Sequence, residues 1–159
     1  MTLPRIALAL FLLSIAAPAR ADATLFIGVN TTPSSRATPG FSAGLGIIPA
    51  VAWEFEYAAT SDELEAGAPS LKTGTGSIML QTPVAVFRLQ PYFEAGAGWY
   101  SEALEARTDK GFAADVGGGV KIVLIGPLRL RVDYRAMKLG SGALYSPAHR
   151  IYAGLNLGF

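Results

Sequence analysis

Glu54 and Glu56 stand two positions apart in "VAWEFEYA" (51–58). Paired carboxylates do acid and base work in glycoside hydrolysis, where they flank the bond they cleave. Two residues apart on a strand, side chains share a face and lie side by side. These two therefore would not flank a substrate, and a structural role for them is the stronger expectation. The sole histidine, His149, follows Ser146 by three positions and precedes Arg150. Serine and histidine can form a nucleophile and its base, so an enzyme acting through His149 is the alternative reading. No H-x-S pattern supports it. One histidine, no cysteine and no carboxylate cluster at ion-site spacing leave no metal or cofactor expected. "VGGGVKI" (116–122) lacks the spacing of a phosphate loop, and no helical pattern follows it.

The densest charge lies in "LRLRVDYRA" (128–136). Arg129, Arg131, Asp133 and Arg135 alternate there with Leu128, Leu130, Val132, Tyr134 and Ala136. Side chains of a strand point alternately to its two faces, so one face is ionic and the other apolar. The same alternation recurs at 24–30, 41–47, 51–58, 77–87, 93–100, 112–124 and 150–159. Together these predict eight strands and an all-β chain. Short proline-bearing turns are expected at 48–50, 88–91 and 125–127. Longer polar loops are expected at 31–40, 60–76, 104–111 and 138–149. Three short turns and four long loops fit an antiparallel up-and-down order with both termini on the short-turn side. Pro83 would interrupt a ladder, so a bulge or a shorter strand is expected there.

The N-terminus reads as an export signal. Arg5 precedes the apolar run Ile6–Ala17, and "PARA" supplies an A-x-A site. The expected organisation is a cleaved leader over 1–21 and one barrel domain over 22–159. Removing Arg5 and Arg20 from the 13 basic residues leaves 11 against 12 acidic ones. So even a balance implies no nucleic-acid partner.

Periodicity alone allows a soluble lipocalin-like carrier with its apolar face inward, or a membrane barrel with that face outward. Three features favour the membrane barrel. Glycines 44, 46, 96, 98, 117, 119, 154 and 158 share the charged faces, where they would make room for long side chains. Phe41, Tyr57, Trp99 and Phe112 fall toward the loop ends of their strands, and Trp53, Phe93 and Phe159 toward the turn ends. They are a candidate pair of aromatic girdles. The strand-terminal Phe159 is similar to the aromatic signal read by the barrel insertion machinery. With the leader, these features make the chain after residue 21 resemble the small eight-stranded outer-membrane barrels, the group of the OmpA transmembrane domain and OmpX. That resemblance implies an eight-stranded antiparallel transmembrane β-barrel in a bacterial outer membrane, and, because some such barrels are lipid-modifying enzymes, it makes an outer-membrane lipid-modifying enzyme with His149 at the rim the alternative. It stops at Phe159, so the cell-wall tethering of full-length OmpA is not implied.

In such a barrel the arginines must face inward. One on the lipid side at mid-membrane costs roughly 2–4 kcal/mol. Glu54, Glu56, Glu94, Asp115 and Asp133 are then expected to meet Lys121, Arg129, Arg131, Arg135 and Arg150 as an interior ion-pair network. Glu54 and Glu56 should lie level with Arg131 and Lys121 when shear is ignored. The expected function is a non-enzymatic, largely closed monomeric barrel embedded in outer-membrane lipid. Its external loops are candidates for binding a surface ligand.

Overall fold

The computed structural model describes residues 20–159, so the expected leader lies almost wholly outside the described residues. Eight strands follow in order: β1 (Ala21–Asn30), β2 (Arg36–Ile48), β3 (Val51–Thr60), β4 (Ser70–Gln81), β5 (Leu89–Leu104), β6 (Arg107–Ile125), β7 (Leu128–Leu139) and β8 (Ala148–Gly158). A single 3₁₀ turn, Leu64–Ala66, interrupts the β3–β4 connection. Each strand pairs antiparallel with the next, and β1 pairs with β8 to close the barrel. Full closure leaves no open sheet edge. The ends clasp one another through Ala21 N–H to the Phe159 carbonyl (2.9 Å) and Phe159 N–H to the Ala21 carbonyl (2.8 Å).

The registers tilt the strands steeply. Paired positions run from Ala21 through Leu45, Trp53, Ile78, Ala95, Val116, Ala136 and His149. The circuit returns to β1 at Thr31, whose N–H meets the His149 carbonyl, ten positions beyond its start. This stagger lifts a residue on a late strand well above its apparent height on an early one.

The alternation sorts chemistry by face. Leu25, Ile27, Leu45, Leu80, Phe93, Leu155 and Leu157 lie on the outside, each more than two-fifths exposed. Glu54, Glu94, Arg131, Arg135 and Arg150 are buried in the lumen. A lipocalin-like carrier would have these faces reversed.

Most strands are longer and the four outer loops shorter than the sequence reading sets them, while one turn is displaced and longer. β4 begins at Ser70 and ends at Gln81 rather than spanning 77–87, so Pro83 stands outside it. The loop expected at 104–111 shrinks to Glu105 and Ala106, between β5 and β6. The turn expected at 88–91 instead reaches from Thr82 to Arg88, and Pro91 enters β5. Thr and Gly at 73–76 look like loop residues in isolation. In a barrel they are filled out by Trp99 and Trp53 of neighbouring strands, which pack on Gly74 and Gly76.

Candidate functional site: the ionic lumen

Arg135 on β7 lies directly opposite Arg150 on β8. Like charges facing across a ladder repel. Glu56, reaching from β3, separates them: one carboxylate oxygen is 3.0 Å from Arg135 Nη2 and the other 2.7 Å from Arg150 Nη1. Arg150 also donates to Thr73 Oγ1 at 2.9 Å.

One layer nearer the turns, Arg131 is paired with Glu54, through Nη1 to one oxygen and through Nη2 to the other at 3.0 Å. This forked arrangement is the strong form of an arginine–carboxylate contact. Ser42 steadies Glu54 at 3.1 Å. The guanidinium carbon of Arg131 sits 4.7 Å from the Tyr92 ring centroid and 5.6 Å from that of Tyr152. Its Nε donates to Tyr92 Oη at 2.6 Å, and Tyr92 donates in turn to Asp133. Glu94 joins the layers by pairing with Arg135 and lying 3.5 Å from Arg131. Asp133 is 3.2 Å from Arg131, and Asp115 is 3.5 Å from Arg135. The ion-paired side chains of these two layers are at most 2 % exposed, so they hold one another in place of water. Five carboxylates thus surround three guanidinium groups.

Two residues behave differently from the sequence expectation. Lys121 does not meet Glu56. It pairs with Asp22 of β1 at 2.6 Å, because the stagger of the sheet sets Lys121 below Glu56 and beside the start of β1. Arg129 has no carboxylate partner among the described residues. It contacts Gln90 at 3.4 Å near the turn-end mouth. Asp22, Tyr92 and Tyr152 were missed as members of the cluster. Extending the Glu94 face backward through Tyr92 to Gln90 would have found the second.

Glycine accommodates this packing at particular points. A Cβ on Gly119 would meet the Val132 carbonyl of β7 and lie 2.6 Å from Tyr92 Oη, and one on Gly154 would lie 2.5 Å from the Leu25 carbonyl and 2.7 Å from Phe26 Cβ, where Phe26 stacks on Tyr152 with centroids 4.0 Å apart. At Gly98 the neighbour is again a strand backbone, that of β4, with Thr75 Cα at 2.7 Å, so close strand approach is common to all three glycines.

Toward the loops the lumen becomes apolar. Leu71, Tyr100, Ala113, Met137, Leu139 and Ala148 form a buried cluster. The β7–β8 loop lies across it, held by Leu144 N–H on Glu102 (2.7 Å) and by the Gly142 carbonyl on Arg107 (2.7 Å). Arg36 knits two other loops by donating to the carbonyls of Thr32 (3.1 Å), Ser61 (2.9 Å) and Pro69.

The aromatic residues of the expected girdles lie on the outside of the barrel, and register pairs Phe41 with Tyr57 and Trp99 with Phe112. Phe41, Phe55, Tyr57 and Trp99 make one continuous patch across β2, β3 and β5, with ring centroids 5.8–6.4 Å apart. Phe41 falls mid-strand in β2, and Phe93 well inside β5. Trp53, Phe112 and Phe159 are also exposed on the outer face. His149 is half-buried on the exterior, its Nδ1 2.7 Å from the Tyr134 hydroxyl. Ser146 is not beside it: its Oγ accepts from Leu139 N–H at 3.0 Å and donates to the Leu139 carbonyl at 3.3 Å.

The strand order and closure are shared with known barrels. The N-terminal barrel domain of Pseudomonas aeruginosa OprF superposes with a TM-score of 0.64 at 16% identity, covering 88% of this chain and 97% of that one. This is the eight-stranded outer-membrane barrel fold. Neisserial surface protein A shares the outer-membrane barrel fold at TM-score 0.60 and 16% identity, over 88% of this chain and 94% of that one. The Yersinia pestis outer membrane protein Ail, solved in a phospholipid bilayer nanodisc, shares it at 0.58 and 11%, over 89% and 99%. No family model matches the chain, and no curated protein matches it by sequence.

Proposed function

We propose that the protein is a non-enzymatic monomeric barrel of a bacterial outer membrane, held shut by its ionic lumen and displaying four short, cross-tied loops outside. The observation that carries this reading is the sorting of charge. The central outer face of all eight strands is uncharged, and the charges of the central strand segments turn inward. That surface suits acyl chains and not water. Its likeness in fold to OprF, Neisserial surface protein A and Ail supports the outer membrane as its compartment. Phe159, clasped to Ala21 at the closing seam, is the residue offered to the insertion machinery. A lipid-modifying activity at His149 finds no support, since Ser146 is engaged with Leu139 and the partner of His149 is a tyrosine. Asp62, Glu63, Glu65 and Glu105 on the loops, with Arg107 at the start of β6, are exposed and are the surface open to an external ligand.

Fractionation with planar-bilayer recording tests the reading. The protein should partition with the outer membrane and migrate differently before and after boiling. The refolded barrel should show no steady conductance. Recovery in the soluble periplasm, or a stable open channel in the unaltered protein, would overturn it.

A further inference from the structure

Three of the four lysines, Lys72, Lys110 and Lys138, break the uncharged outer face, and all three do so at the loop ends of their strands. Lys72 is third in β4, Lys110 fourth in β6, and Lys138 next to last in β7. All three are exposed, and none is paired with a carboxylate among the described residues. The acids adjacent in sequence turn away: Glu102 accepts from Leu144 N–H, and Asp109 from the Tyr100 hydroxyl.

Register makes two of the lysines a unit. Ser101 on β5 is paired with Lys72 on one side and with Lys110 on the other. Adjacent strands lie about 4.8 Å apart, so the row reads ammonium, hydroxyl, ammonium across about 10 Å. Beneath it the Trp99 indole packs on Gly74. Together these residues line a groove of about 500 Å³. Beyond Phe112, a second groove of about 240 Å³ runs along Ala114, Val116 and Ala136, with Lys138 and Pro147 at its edge.

We propose that Lys72, Ser101 and Lys110 bind the phosphorylated head of a glycolipid of the lipid A kind, with its acyl chains lying on Trp99 and along the Ala114–Ala136 furrow. This rests on the membrane reading above. A phosphomonoester is a dianion at neutral pH and is matched by two ammonium groups with a hydroxyl donor between them. A phosphodiester lipid carries one charge and matches only half of the row. Trp99 lines the same groove as the two lysines, and the second groove has apolar walls with Lys138 at its edge, the pairing of charge and apolar surface that an amphiphile requires.

Native mass spectrometry of the refolded barrel, released from detergent, tests the site. The probes are bisphosphorylated lipid A, its dephosphorylated derivative and phosphatidylglycerol. The protein should retain one lipid A at least about tenfold more tightly than either of the others. The K72Q/K110Q variant should weaken lipid A binding roughly thirtyfold, about fivefold for each lysine facing an anionic lipid head. Equal retention of lipid A and its dephosphorylated form, or unchanged binding by the double variant, would overturn the site. Heat-dependent migration and insertion into phosphatidylcholine vesicles, read in parallel, report the barrel itself. A failure there would instead remove the membrane reading.

Discussion

At the scale of single residues, Glu56 and Asp115 occupy the same lumen with opposite expected importance. Glu56 separates two facing arginines. Its removal leaves two buried guanidinium groups opposed, and Glu56→Ala should destabilise the barrel by about 3–5 kcal/mol. Converting Arg150→Met in that background should recover part of the loss, since the opposed pair is then gone. Asp115 is one of five carboxylates around three arginines and touches Arg135 only at 3.5 Å. Asp115→Asn, which keeps the shape and the Ser77 contact, should cost far less. Urea unfolding in lipid vesicles, followed by gel migration, ranks the two. A Gly119→Ala change tests the packing beneath the network. Its Cβ would press on the Val132 carbonyl of β7 as well as on Tyr92, the residue linking Arg131 to Asp133, and a loss of about 1–3 kcal/mol is expected.

At the scale of elements, the β4–β5 connection carries an uncommon two-residue reversal. Val86 and Leu89 exchange both backbone hydrogen bonds, while Phe87 and Arg88 take φ of 49° and 69°. Such a turn favours Asn and Gly, because other side chains crowd the backbone in the left-handed region. Arg88 is held by the Val123 carbonyl at 2.9 Å and by that of Leu124, whereas Phe87 is almost wholly exposed. Phe87→Asn should therefore stabilise the barrel by about 1 kcal/mol, visible as a higher urea midpoint. Unchanged or lowered stability would mean that Phe87 is held by a contact of its own.

The same segment marks where sequence reading stopped working. Alternation identified every strand, because the contrast between apolar and ionic faces is sharp in "LRLRVDYRA" and in "VAWEFEYA". It failed at 70–76, where Thr and Gly carry little contrast and belong to a strand only because Trp53 and Trp99 cover them. It also failed at 82–88, where an apolar run forms a turn. Which charges face inward was legible from parity. Which charges meet was not, because pairing depends on the stagger. Counting heights without it matched Glu54 with Arg131 but sent Lys121 to Glu56 instead of Asp22.

At the scale of the whole molecule, closure of the sheet leaves no open edge, and in the proposed membrane setting the apolar outer face is covered by acyl chains. The central claim is that apolar side chains face acyl chains while ionic ones face the lumen. The chain has no cysteine, so single cysteines report position cleanly. Ala43→Cys and Ala153→Cys fall on the exposed outer face, and Ala58→Cys and Ala113→Cys on the buried inner one. Each would carry a bimane label in vesicles of brominated phosphatidylcholine. Strong quenching at 43 and 153 with little at 58 and 113 is the predicted result; equal quenching at all four, or the reverse order, would contradict it.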